Sequence, residues 1–218
     1  MKILALTDIH GAYKKAKEII DRHPSDVVLI GGDLTTAGSV KEAEEAIRLF
    51  QTGPGRIFSV SGNMDLPQHD QMMARVGVSL DSRGVKIDGI GFFGVSAAPV
   101  SPMHTPYEIS EEEIARRIEA GFLQVRECPV KVFVPHAPPY GTRVDIIHMG
   151  IHVGSTAVRD FIEENSPAVV VCGHIHEGRG QDRLEGSRIV NCGAAMNGYF
   201  ATIDIGEEIT IENHQLGH

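Results

Sequence analysis

The chain has 218 residues, 42% of them hydrophobic and 22% charged, and a formal net charge of −9. That length suits one domain with a sizeable core, and the composition is that of a globular chain rather than a disordered one. With no basic run longer than Lys14-Lys15 or Arg116-Arg117, the surface disfavours nucleic acid duplexes, and three cysteines without a CxxC pair argue against a disulfide framework or a cysteine zinc finger.

In chain order, KILAL (2–6) reads as a short buried strand, and Asp8 and His10 cut the apolar run that it opens. That run is too short for a signal-peptide core or a membrane span, so a cytoplasmic protein without membrane association is expected. AYKKAKEII (12–20) places Ala12, Ala16, Ile19 and Ile20 on one helical face. DVVLIGG (26–32) is a second strand, VKEAEEAIRLF (40–50) a second amphipathic helix, and RIFSVSG (56–62) a third strand. The stretch 77–97 is strand-like and glycine-rich. The proline-rich segment Ala97–Tyr107 reads as a surface loop that doubles as a candidate lid. SEEEIARRIEAGF (110–122) opens on a capping box of Ser110 with Glu113. KVFVP (131–135) and AVVVCG (168–173) are strands, and between them STAVRDFIEEN (155–165) starts on Ser155 as N-cap and stops before Pro167. The tail segments RIVNCG, YFATIDI and EEITIEN are strand-like with no helix between them. Strands alternating with helices predict an α/β protein, and the tail adds mixed or antiparallel sheet. No repeat or linker interrupts the chain, which predicts a single domain over 1–218.

The chemistry sits where the strands end. KILALTDIH delivers Asp8 and His10, VVLIGGD delivers Asp33, FSVSGN delivers Asn63, KVFVPH delivers His136, and VVVCGHIH delivers His174 and His176. In open α/β sheets functional groups gather beyond the carboxyl ends of the strands, so these seven side chains are candidates for one patch. Two carboxylates, one amide and four imidazoles suit Mn, Fe, Zn, Ni or Co better than the all-oxygen shells of Mg or Ca, and seven ligands suit two ions. Gly32, Gly62 and Gly173 stand just before Asp33, Asn63 and His174, where absence of a Cβ lets the chain turn sharply off a strand.

The ordered series DIH, GGD, GNMD, PHAPPYGT and GHIH resembles the calcineurin-like metallophosphoesterases, specifically small bacterial- or archaeal-type members, and the resemblance covers Asp8 to His176. It implies a four-layer sandwich of two packed mixed β-sheets flanked by helices. It implies one metal on Asp8, His10, Asp33 and His176, a second on Asp33, Asn63, His136 and His174, and Asp33 as the bridge. It further implies a phosphoesterase in which a hydroxide held by two metals attacks phosphorus in line with the leaving oxygen.

One block departs from the family pattern. Met64 stands where a histidine is expected, and methionine has no proton to give a leaving group. That speaks against a phosphoprotein phosphatase and for small phosphodiesters or phosphomonoesters, the diester favoured. His152 in GIHVGS is the candidate imidazole to fill the gap, with the amides of Gly154 and Ser155 beside it as anion donors. Asp65 reads as a structural turn residue, Cys172 as a small apolar residue at a strand end, and His104 and His148 as non-functional. Arg143 and Arg179 are secondary candidates for phosphate contacts. The alternative is a silent metal-binding scaffold or interaction module on the same fold, although none of the seven ligands is missing. A nucleotide-binding module on the turns IGGDLTTAGS and GRGQDRLEG lacks both GxGxxG and a P-loop lysine pattern.

Overall fold

The computed structural model describes residues 1–217. The elements run β1 (Lys2–Leu6), α1 (Tyr13–Arg22), β2 (Val27–Gly31), α2 (Val40–Phe50), β3 (Arg56–Val60), α3 (Gln68–Arg75), β4 (Gly84–Ile87) and β5 (Ile90–Val95). After a two-strand ribbon of β6 (Ala98–Pro99) and β7 (Glu108–Ile109) come α4 (Glu111–Phe122) and β8 (Val130–Pro135). A small hairpin of β9 (Ile146–Ile147) and β10 (Ile151–His152) precedes α5 (Thr156–Asn165), β11 (Val169–Cys172), β12 (Gly180–Leu184), β13 (Ser187–Asn191), β14 (Tyr199–Ile205) and β15 (Ile209–Gln215).

The main strands form two mixed sheets, ordered β15-β14-β1-β2-β3 and β12-β13-β11-β8-β5-β4. Each has a parallel set, β1-β2-β3 in the first and β5-β8-β11-β13 in the second, with antiparallel strands added beside β1 in the first and at both edges of the second. Period-two alternation explains how continuous apolar strands serve two cores at once. Ile3, Ala5, Val27 and Leu29 point between the sheets and meet Phe92, Val132, Val134, Val169 and Val171 of the other sheet. Their neighbours Leu4, Leu6, Val28 and Ile30 point outward under Ile19, Ile20, Ile47, Phe50 and Met72 of α1, α2 and α3. On the far side Phe93, Phe133, Val170 and Cys172 lie under Ile114 and Ile118 of α4 and Val158, Phe161 and Ile162 of α5. The result is the helix–sheet–sheet–helix sandwich that the resemblance implies.

α4 and α5 begin where their caps predict, and α2 begins on a serine cap as well. Ser39, Ser110 and Ser155 each accept a hydrogen bond from a backbone N–H three residues on. The capping box at α4 is only half formed, because the Glu113 carboxylate turns to the guanidinium groups of Arg116 and Arg117. Several elements had no forecast: α3, the short strands β6, β7, β9 and β10, and β12 within the stretch read as a glycine-rich turn. No helix among the described residues is long and apolar enough to cross a membrane.

Candidate metal centre

All seven candidate ligands leave strands at one edge of the sandwich. Asp8, His10, Asp33 and Asn63 follow β1, β2 and β3 of the first sheet. His136, His174 and His176 follow β8 and β11 of the second. The chain leaves these strands under tension. Asp8, His10, Asp33 and His174 hold φ of 54°, 46°, 50° and 66°, a left-handed conformation that costs a non-glycine residue roughly 1–2 kcal/mol. Backbone bonds to neighbouring loops keep two of them there, Asp8 N–H to Gly32 O and His10 N–H to Asp33 O.

The preceding glycines are needed chiefly for room, a refinement of the sharp-turn reading. Only Gly32 has positive φ, +101°, and a Cβ there would overlap the His136 ring. At Gly62 a Cβ would overlap the Asp33 carboxylate, and at Gly173 the Asp8 carboxylate. Three loops thus approach each other at backbone distance, which brings the side chains together.

The donor atoms converge in two sets. The Asp33 carboxylate lies between them, with Oδ2 at 3.6 Å from His10 Nε2 and 3.6 Å from His136 Nε2. On one side, His176 Nε2 is 3.4 Å from Asp8 Oδ1, and Asp8, His10 and His176 each offer an atom within 4.8 Å of the others. On the other side, Asn63 Oδ1 is 2.9 Å from His136 Nε2 and 2.8 Å from His174 Nδ1. Oxygen and nitrogen lone pairs aimed at common points repel unless a proton or a cation sits among them, so the donor set fits divalent metal ions. Burial supports this: it pushes the His174 imidazole down to about 3, so that ring is neutral and ready to ligate near pH 7. Burial also pushes Asp8 up, but the hydrogen bond to His176 and the nearby imidazoles outweigh it and hold the carboxyl at about 2. Burial lifts the Asp33 carboxyl to about 7 despite the attraction of His136.

Supporting contacts orient the ligands, and most were not legible in the sequence. The Gly31 carbonyl lies 2.8 Å from His136 Nδ1, which fixes the proton there and turns Nε2 toward the centre. The Thr36 hydroxyl is 3.0 Å from His10 Nδ1. Met64 N–H donates to Asp33 Oδ1 at 2.7 Å. Buried Asn191 donates to the carbonyls of Gly173 and Ile175 on either side of His174. No spacing rule marks Thr36 or Asn191, because each meets its partner only through the fold.

The other residues singled out in the sequence have these surroundings. Asp65 is buried and accepts from the N–H groups of Gly62, Leu34 and Thr35, so it ties the Asp33 loop to the Asn63 loop. Its neighbour is His69 of α3, whose Nδ1 is 3.4 Å away and whose Nε2 faces the Gly38 carbonyl; His69 joins no ligand. The amides of Gly154 and Ser155 are not free for an anion. The first donates to Asp145 and the second to Pro138 O, because this segment must close its own turn before α5. His152 Nδ1 is 2.7 Å from the Asp145 carboxylate, on a hairpin that packs against the turn His176–Gly178. Arg143 lies beside Asp182, and Arg179 stacks over Tyr199 and donates to His214 O, so neither guanidinium is directed to the ligands. His148 lies 3.4 Å from Glu177, and Cys172 is fully buried at its strand end.

A model of the calcineurin-like phosphoesterases matches residues 1–178. The chain belongs to the calcineurin-like phosphoesterase family. This phosphoesterase is 33% identical over 197 residues to an uncharacterized protein of Methanocaldococcus jannaschii, covering 88% of this chain and 87% of that protein. Its fold is similar to that of a Thermus thermophilus protein, with TM-score 0.74, 19% identity and coverage of 97% and 98% of the two chains. It is also similar to a dimetal phosphatase of Danio rerio, with TM-score 0.67, 11% identity and coverage of 99% and 96%. Members of the family generally use divalent metals, and the donor clusters of this phosphoesterase fit such ions.

Proposed function

We propose that this metal-dependent phosphoesterase holds two divalent ions and hydrolyses a small phosphodiester. The observation that carries the reading is the Asp33 carboxylate, equidistant from His10 and His136, with a second set of donors closing on Asn63 Oδ1. Asp8, His10 and His176 would hold one ion, Asn63, His136 and His174 the other, and Asp33 would touch both. Bound there, the pair supplies Lewis acidity that activates water and offsets charge on the phosphoryl oxygens. Thr36 and Gly31 hold the imidazoles of His10 and His136 in their ligating orientation. The diester preference follows from charge. Among the described residues no lysine or arginine side chain bonds or ion-pairs with any of the seven ligands, which suits a singly charged ester better than a doubly charged one.

His152 is proposed to give a proton to the departing oxygen in place of the histidine that Met64 replaces. Its Nδ1 is held by Asp145, which leaves Nε2 as the free proton carrier on a half-buried ring. The test is hydrolysis of bis-p-nitrophenyl phosphate against p-nitrophenyl phosphate by metal-stripped protein given back Mn, Fe, Co, Ni, Zn or Mg, with Asp33→Ala as control. Metal-dependent diester turnover, absent in the control, is expected. No turnover in protein that still binds ions favours the silent scaffold. His152→Ala should lower kcat about 10²-fold; an unchanged rate sinks this role for His152.

A further inference from the structure

Eight large apolar side chains stand exposed on the described surface. Six of them, Val100, Met103, Tyr140, Met149, Ile151 and Met196, stand on the loops, turns and small hairpin beyond the strand ends that carry the candidate ligands. The other two, Leu49 and Leu123, lie at the C-terminal ends of α2 and α4. Methionine shows the same bias. Apart from Met1 and the buried pair Met72 and Met73 of α3, every methionine of the chain, Met64, Met103, Met149 and Met196, is on these loops.

Backbone bonds fix two of the four beside the centre. Met64 N–H donates to the Asp33 carboxylate, and Met196 N–H to the Asp8 carbonyl. The segment with Met103 returns through Tyr107, whose N–H donates to the Asn63 carbonyl, and is closed by Glu108, which gathers Ser101 and Thr105. The hairpin with Met149 packs on the turn of His176. The four methionines thus stand on segments that border the candidate centre. Thioethers are polarizable and unbranched, and adapt to apolar ligands of varied shape. Lys15 donates to the Met196 carbonyl, and among the described residues no lysine or arginine side chain bonds to a ligand.

Resting on the phosphodiesterase reading, we propose that the substrate is a phosphodiester with an extended apolar alcohol, alkyl or aryl, lying across the methionine rim formed by Met64, Met103, Met149 and Met196. The experiment compares kcat/KM of the metal-loaded protein for p-nitrophenyl methyl, butyl and octyl phosphates, and binding of methyl- and octylphosphonate by calorimetry. The octyl compounds should be favoured about tenfold or more in both measurements. In Met103→Gln/Met149→Gln the octyl-to-methyl ratio should collapse toward one, a ratio within one protein that general loss of activity does not move. Turnover without chain-length preference overturns the rim and leaves the phosphodiesterase reading intact. Tighter octylphosphonate binding without turnover of any ester overturns the phosphodiesterase reading and keeps the rim. A dimer in sedimentation that the double variant dissociates, with no octyl preference, shows that the rim covers a second copy of the chain and overturns the proposal.

Discussion

At Gly62 there is no space for one more carbon, since a Cβ would meet the Asp33 carboxylate and its backbone nitrogen. Gly62→Ala should therefore shift Asp33 against Asn63 and lower metal-dependent turnover by about 10²-fold or more, with the far-UV circular dichroism kept. Metal content by mass spectrometry checks the cause. A wild-type rate in that variant would show the loops are not held at backbone distance. Asp65 makes the same point through hydrogen bonds. Asp65→Ala strands the buried N–H groups of Gly62, Leu34 and Thr35, each at about 1–3 kcal/mol, so urea unfolding should show a loss of at least ~3 kcal/mol. A loss below ~1 kcal/mol would mean that water or other acceptors replace the carboxylate. The sequence shows which residues stand next to glycine. It does not show that two of these glycines are needed for clearance rather than for φ.

Among the elements, strands whose two faces are both buried were read from unbroken apolar runs, and four helices from their caps and stripes. α3 escaped because Pro67 at its start offers no side-chain cap and its eight residues bury a histidine, His69, among the methionines. β12 escaped because GQDRL alternates half-buried and exposed residues at a sheet edge, where no apolar pattern is required. The outer core of the second sheet depends on an aromatic group that the sequence scatters over four segments. Phe93 stacks on Phe133 with centroids 4.8 Å apart, and Phe161 of α5 meets Phe133 at 5.3 Å. Phe133→Ala should cost ~3–5 kcal/mol, seen as a lower denaturant midpoint at constant m-value. A cost under ~1.5 kcal/mol would show that α5 collapses into the space.

For the whole molecule, the candidate metal ligands join the two sheets. Four come from loops of the first sheet and three from loops of the second. Ions that bind the folded chain alone should raise its stability by about 2.7 kcal/mol at a hundredfold excess over Kd, roughly 5–10 °C in Tm for a chain of this size. The gain should depend on pH. Protons compete with metal at Asp33, raised by burial to about 7, and at His176, raised by its bond to Asp8. Asp8 and His174, at about 2 and about 3, have already lost theirs. Affinity should thus weaken as pH falls from 8 to 6, with protons released on binding. Calorimetric titrations at pH 6 and pH 8 measure both effects; equal affinities would exclude Asp33 and His176 as titrating ligands.

By itself the sequence determined the α/β class, the strand ends that carry chemistry, and the seven donor residues in their order, because backbone periodicity and ligand chemistry are both local. The tertiary structure decided the rest. It set Asp33 midway between His10 and His136, turned Arg143 and Arg179 to other partners, and consumed the amides of Gly154 and Ser155. Each of these depends on which loops meet across two packed sheets. Contacts between residues 30 to 170 positions apart are fixed by packing geometry, which no local pattern along the chain encodes.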